Sequence, residues 1–394
     1  MVKTSAQPNL SPVHPHTDST RMRSVVTELK ESREHLISGF RSGKVSETFQ
    51  EDYSQIIDHY FRVNIQESQT GRDLFKNKQP FALIAVGGYG RKELCIYSDI
   101  DILILFNKKI PPGATALAEE LFYPMWDVGL ELGYGVRTIK DCMTLGRNDF
   151  EVLTSMLDGR FICGDSLLYL TLMEDLHKKV INKISTAFGR WFEDLDKIRM
   201  NTFGDASHLL EPNLKDGKGG LRDYHQILWM AKAFFNLRDP KELEYLGKLS
   251  YKEYQELENN INFILLVRNH LHQLTGRKND RLSFEYQEEI AGRLGYKNLK
   301  KIPAVEQFLG QFHTCMESIK ALHRPFLTIH TKKRDLLKDS LEPKEVLKGL
   351  HLYQNELGFD SATAILANPL LLMEIFEQSC RLGDPLSMEA SSTR

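Results

Sequence analysis

Two short stretches carry the residues that could do chemistry together: Val86-Gly87-Gly88-Tyr89-Gly90-Arg91-Lys92-Glu93-Leu94, then Ser98-Asp99-Ile100-Asp101-Ile102-Leu103. Phe81 to Val86 is an apolar run suited to a buried strand. It stops at a glycine pair, which turns without steric cost and leaves peptide N–H groups open to an anion. Gly88 to Leu94 reads as one or two helical turns, and Asp99 to Phe106 as a second strand. Side chains alternate faces along a strand, so Asp99 and Asp101 share one face while Ile100, Ile102 and Ile104 enter the opposite layer. Two carboxylates beside a glycine turn suit a divalent cation held with a nucleoside triphosphate. Magnesium takes oxygen ligands, commonly one or two carboxylates plus substrate phosphates. Paired ions can stabilise the attacking and leaving oxygens of an in-line displacement at phosphorus. Gly87 and Gly88 would cradle phosphate, and Ser98 could add a hydroxyl.

An Asp-x-Asp pair alone is commonly a solvated strand end, and a glycine pair alone is usually a turn. The conjunction narrows the reading: an apolar strand, Gly-Gly, ten intervening residues, then Asp-apolar-Asp-apolar. It resembles the signature of the nucleotidyltransferase superfamily that includes DNA polymerase beta. A third acidic group would complete such a site, with Asp127, Glu131 and Asp158 as candidates. Glu131 opens an extended segment suited to the same sheet, and Asp158 precedes a short edge strand at Arg160 to Gly164.

The elements that must position these residues follow from the whole chain. At 394 residues it can hold two or three domains. Apolar content of 41% and charged content of 26% are those of an ordinary globular protein. A formal charge of -2 argues against nucleic acid as the main partner, because phosphate-backbone binding needs a basic face. No apolar run is long enough to span a bilayer, and the N-terminus has no secretory apolar core, so a cytoplasmic location with no membrane partner is expected. Five dispersed cysteines (95, 142, 163, 315 and 380) suggest reduced thiols. Residues 1–23 read as a disordered tail. Residues 24–165 read as a strand–helix domain with N-terminal helices, residues 166–340 as an all-helical domain, and residues 341–394 as a helical tail. The fold class expected is α+β: a mixed sheet with helices, followed by helices alone.

In the helical part the loop Leu210 to Asp223 contains Pro212, Gly217, Gly219 and Gly220, which forbid helix. It runs into a helix that starts at Arg222, so free N–H groups and the helix dipole favour an anion there. Lys215, Lys218 and Arg222 add positive charge, and the loop could close over a triphosphate from across a cleft. A plain interdomain loop with an Arg–Asp pair would also explain it. His270 and His272 are two apart and share no helix face, so packing suits them better than a paired metal site. Arg277 and Arg281 could reach phosphate.

In this order, these features resemble the N-terminal half of the bacterial uridylyltransferase/uridylyl-removing enzymes that modify the PII nitrogen-signal protein. The resemblance rests on Gly87-Gly88-Tyr89-Gly90-Arg91 with Asp99 and Asp101, Trp126-Asp127-Val128-Gly129-Leu130, and Gly135-Val136-Arg137-Thr138. It continues through Leu157-Asp158-Gly159-Arg160, Glu211-Pro212-Asn213, Gly219-Gly220-Leu221-Arg222-Asp223, and Arg277 with Asp280-Arg281-Leu282. It implies a polymerase beta-like sheet and transfer of UMP from UTP to a tyrosine hydroxyl of PII, with release of pyrophosphate. It also implies magnesium (Mg) on Asp99 and Asp101, phosphate binding by Gly87 and Gly88, and Asp158 as third carboxylate, a ligand or a base; Arg91, Ser98, Lys215 and Arg222 are expected to join the nucleotide-binding residues. The family continues into a histidine–aspartate phosphohydrolase domain and glutamine-sensing domains. This chain has no His-Asp dipeptide, so removal of UMP is not expected of it. Two rival expectations are a nucleotidyltransferase with another acceptor or nucleotide, and a regulatory module that binds without turnover.

Overall fold

The computed structural model describes residues 19–43, 48–327, 344–353, 356–359, 362–382 and 386. Most of the expected N-terminal tail lies outside them, but helix α1 (Ser19–Arg41) already begins within that stretch. Helices α2 (Phe49–Glu67) and α3 (Gln69–Lys76) follow. Strand β1 (Phe81–Ala85) is buried along its whole length and leads into a single helical turn, α4 (Gly87–Gly90). Then come β2 (Ile100–Phe106), α5 (Ala114–Asp127), β3 (Leu132–Thr138), α6 (Ile139–Asn148), α7 (Phe150–Leu157) and β4 (Arg160–Gly164).

The four strands form one mixed sheet in the order β3-β2-β1-β4. β1 runs antiparallel to β2 and β4, while β2 and β3 are parallel, with Asp101 opposite Gly133. The sheet's two faces feed different cores. Ile100, Ile102 and Ile104 pack with Phe61 of α2 and Leu117, Leu121 and Phe122 of α5. Leu103 and Leu105, which share the Asp101 face, pack with Ile139, Cys142, Leu153 and Met156. The period-2 alternation of Asp-Ile-Asp-Ile therefore sets which core each side chain meets.

Beyond β4 the chain is helical as far as Leu327. The elements are α8 (Ser166–Asp175), a π-helical turn at Leu176–Ile181, α9 (Asn182–Phe203), α10 (Leu221–Phe235), α11 (Glu242–Tyr245), α12 (Tyr251–Thr275), α13 (Phe284–Arg293) and α14 (Ala304–Leu327). Local chemistry marks their starts: Asp149 caps α7, Asp165 caps α8, and Ser250 with Glu253 forms a capping box on α12. The whole is α+β, a mixed sheet with helices followed by a helical region.

The tail departs from the all-helical expectation. Lys344–Leu347, Leu350–Tyr353 and Glu356–Phe359 form a three-stranded antiparallel meander, β5-β6-β7. Leu350 and Leu357 pack on Leu371 and Ile375 of the helix Leu371–Leu382. Four-residue strands are too short for their period to stand out from the helical spacing around them.

Candidate active site

The glycine turn is fixed from behind. Buried Tyr89 donates its hydroxyl hydrogen bond to Asp58 Oδ1 of α2 (2.6 Å), and Arg160 of β4 donates to Asp58 Oδ2 (2.6 Å). Gly87 adopts φ +59°, a left-handed conformation that glycine takes without strain. A Cβ there would stand 3.3 Å from Asp101 Oδ2. The Val86 N–H donates to the Asp101 carbonyl (3.0 Å), so the turn and the acidic residue are stitched together by backbone as well. The opposite flank is cleared by Gly133, where a Cβ would fall 2.3 Å from Asp101 Oδ1.

Asp99 immediately precedes β2 and receives an ion pair from Lys278. Burial would raise its pKa, but the hydrogen bond from Lys278 and the charge of that ammonium hold it below the ordinary value. Asp101 behaves oppositely. Burial first, and then the negative charge of Asp99, push it up to about 6. Two close carboxylates, one of them reluctant to ionise, form a site short of positive charge. The Lys278 ammonium on Asp99 already stands where a cation is wanted, and the space kept by Gly133 lets Asp101 face outward. These residues fit a divalent cation with two protein ligands, leaving positions for phosphate and water.

The third-carboxylate candidates separate clearly. Glu131 is exposed next to Asp99, its carbonyl accepting from the Ile100 N–H (2.9 Å). Asp127 is exposed at the end of α5. Asp158, the favoured choice from sequence, caps α7 and is buried. Its Oδ2 receives Arg91 Nη1 and Trp229 Nε1 (2.8 Å), and its Oδ1 receives Lys232 Nζ (2.9 Å). Burial opposes its ionisation, yet Arg91 and then Lys232 keep it below the ordinary carboxylate range. A carboxylate spent on three donors is a poor base and offers little to a metal.

Arg91 is gripped by Asp158 and by Glu93 (2.8 Å), with Nη2 directed at the Gly88 position (3.9 Å from its Cβ site). Glu93 in turn holds His225 Nε2 (2.7 Å). Trp229, Lys232, His225 and Glu93 were not picked out from sequence. Their signal was the shared face of His225, Trp229 and Lys232 on α10, at helical spacing. Ser98 Oγ accepts from the Cys95 N–H (2.9 Å) and from Arg268 Nη1 (3.3 Å), so its first job is to shape the turn before Asp99.

The opposite wall comes from two loops of the helical region. Leu214 N–H donates to the Asp280 carbonyl (2.7 Å) and Leu282 N–H to the Pro212 carbonyl (3.0 Å), which ties the glycine loop to the Arg277–Arg281 loop. Arg222 pairs with Asp216 (3.2 Å) and lies over the Trp229 ring, 5.4 Å from its centroid. The positive charge of Lys215 favours the ionised forms of Asp99 and Asp101, although at Asp101 burial and the charge of Asp99 outweigh it. Arg281 pairs with Glu211 (2.7 Å) and Arg268 with Asp280 (2.6 Å). His270 packs on Phe40, ring centroids 4.6 Å apart, and His272 Nδ1 accepts from the Tyr97 N–H (3.4 Å). Burial lowers their pKa values to about 4 and about 3, as suits packing histidines.

Among the described residues, two other groups bring three ligand atoms together: Asp196–Asp223–His323 and Asp205–His208–Glu317. The ammonium groups of Lys218 and Lys320 occupy them. All five cysteines are free, and no described helix is long and apolar enough to cross a membrane.

Comparison with known proteins bears on this geometry directly. Residues 28–135, which include the turn and both aspartates, match the family model of the putative nucleotidyltransferase DUF294. Residues 194–327, which carry the opposite wall, match the GlnD PII-uridylyltransferase model. The relatives are bifunctional uridylyltransferase/uridylyl-removing enzymes. That of Ruegeria pomeroyi is 34% identical over 307 residues, covering 77% of this chain and 34% of the relative. That of Caulobacter vibrioides is 37% identical over 249 residues, 62% of this chain and 26% of the relative. That of Erythrobacter litoralis is 31% identical over 322 residues, 79% and 35%. The resemblance read from the motifs therefore holds, and the matched part of the chain spans about a quarter to a third of the length of these relatives.

Proposed function

We propose that this chain is a magnesium-dependent nucleotidyltransferase that moves UMP from UTP to a tyrosine hydroxyl of PII and releases pyrophosphate. The observation that carries the reading is the Asp101 carboxylate seated against Gly87, with Asp99 on the same flank, in a chain whose relatives bear the uridylyltransferase name. Asp99 and Asp101 hold the metal, and Glu131 takes the place expected of Asp158 as the third carboxylate. When bound, magnesium supplies positive charge to the phosphates and to the oxygens entering and leaving phosphorus.

The chain's own groups do the rest. Gly87 and Gly88 present N–H groups to the phosphates without a side chain intervening, and Arg91 adds a guanidinium edge. Lys215, Lys278 and Arg222 face them from the helical wall. Asp158 positions Arg91 and does not touch the reacting atoms. A tyrosine hydroxyl has a pKa near ~10, so a carboxylate that accepts its proton lowers the barrier. Glu131, exposed beside Asp99, suits that task.

Incubation with labelled UTP or ATP, with and without PII, tests the reading. Label from UTP on PII is expected, and its loss in Asp101→Asn. Transfer to a different acceptor alone would reject the choice of PII. Nucleotide binding that Asp101→Asn leaves unchanged, with no turnover by the wild type, would favour a binding module.

A further inference from the structure

The helical wall holds several cations, and nearly all are already engaged. Lys278 sits on Asp99, Arg222 on Asp216, Arg268 on Asp280 and Lys218 on Asp196. Lys215 is half-buried among them, and its ammonium takes part in none of the hydrogen bonds or ion pairs found among the described residues. The root of the side chain is fixed. Asn213 Oδ1 accepts from the Lys215 N–H (3.0 Å) and the Asp216 N–H (2.6 Å), while the Lys215 carbonyl accepts from the Arg222 N–H (2.8 Å) at the start of α10. The ammonium is thus presented from a rigid turn, its charge felt at both Asp99 and Asp101.

From this placement we propose that Lys215 is the proton donor to the departing pyrophosphate. The inference rests on the nucleotidyl-transfer reading. The tyrosine oxygen bonds to the α-phosphorus, and the bond from that phosphorus to the α,β-bridging oxygen breaks. The bond's electron pair stays on the bridging oxygen, which takes a proton from the Lys215 ammonium. The tyrosine proton goes to the carboxylate side of the cleft, and the neutral amine regains a proton from water after pyrophosphate leaves. Lys218 and Lys278 are each held by a carboxylate, so neither is as free to give up a proton.

The titration fits the task. Burial, with the like charges of Arg222 and Arg268, pulls Lys215 down to about 8, while Asp280 and Asp216 oppose the shift. Asp99 and Asp101 face it from the sheet. A donor near neutrality gives up its proton far more readily than an ordinary lysine.

Two measurements test the proposal. Magnesium pyrophosphate binding is followed by calorimetry at pH 8.5 in two buffers of different ionisation heat. The wild type is expected to take up more than about half a proton per site, because the bound anion recharges an amine that is mostly neutral at that pH. Lys215→Arg, which keeps the charge but cannot donate, and Lys215→Met should lose that uptake. In transfer assays Lys215→Arg should lower kcat about 100-fold with UTP, within the range for general acid catalysis. The loss should be smaller with β,γ-difluoromethylene-UTP, whose leaving group is less basic, than with β,γ-methylene-UTP.

Equal proton uptake in wild type and Lys215→Arg, or an unchanged kcat and leaving-group dependence, overturns the proposal. So does pyrophosphate that fails to bind. Proton uptake that depends on Lys215, without label on PII, leaves the donor assignment standing and sinks the acceptor instead.

Discussion

Asp101 concentrates the tension of the site in one carboxyl group. Its pKa of about 6 lies above the ordinary 3.8, so in metal-free protein its ionisation costs stability. The cost is absent below about pH 4, builds as pH rises toward 6 and is complete above it, reaching at most about 3 kcal/mol from the size of the shift. Asp101→Asn should therefore raise the melting temperature of metal-free protein at pH 8 and do little at pH 4, while abolishing transfer and magnesium-induced stabilisation. Scanning calorimetry with and without magnesium checks this; a lower melting temperature at pH 8 contradicts it. Magnesium affinity of the wild type should itself fall as pH drops below about 6. Gly133→Ala probes the same carboxylate from its other side. The new Cβ would meet Asp101 Oδ1 at 2.3 Å, so Asp101 must turn away. Magnesium binding by isothermal titration should weaken at least about tenfold, a loss of ~1.4 kcal/mol. These residues were legible in the sequence because a glycine turn and an alternating strand are local patterns, complete within some fifteen residues.

At the scale of elements, α10 is what the local pattern could not reveal. The family resemblance points to Asp158 as the third carboxylate, and its own neighbourhood, a helix end before a strand, shows nothing against that. Trp229 and Lys232, which decide its environment, come some seventy residues later on a helix that packs across the sheet. The same holds for Lys278, whose approach to Asp99 depends on the stitching of two distant loops. Asp158→Asn leaves Arg91 and Lys232 without their shared anion in a buried setting, and truncation of one buried charge partner costs about 3–5 kcal/mol. The stabilisation Asp158 provides is present above its ordinary pKa and is lost as pH falls through its lowered folded value. Urea unfolding at pH 7 should show the full loss for Asp158→Asn, and the gap to wild type should close in strong acid. A variant as stable as wild type at pH 7 would contradict this account of Asp158. The short strands β5 to β7 were missed for a related reason: their packing partners, Leu371 and Ile375, lie on a later helix.

For the molecule as a whole, the decisive feature is that the core on the Asp101 face of the sheet is shared with the helical region. Ala82, Ile84, Leu103 and Leu105 pack into the same continuous cluster as Ile227, Leu228, Ile264 and Phe312 of the helical region. Ile96 N–H donates to Asn269 Oδ1 (3.0 Å) across the same boundary, and Arg268 reaches Ser98. The sequence marks a change of character near residue 166, yet burial does not divide there. Hydrophobic burial scales with contact area and ignores chain order, so a composition break need not be a folding break. Residues 24–327 are therefore expected to unfold in one calorimetric transition, with equal calorimetric and van't Hoff enthalpies. A fragment ending at residue 165 would keep α6 and α7 on that face but expose the rest of the shared core, and it should aggregate or bind a hydrophobic dye when expressed alone. Two separable transitions in residues 24–327, or a monomeric, dye-silent fragment 24–165, would show that the two halves of the cleft are independent. In that event the opposite wall could not hold Lys215 and Lys278 in fixed register with Asp99 and Asp101, and the cleft would have to be assembled by substrate.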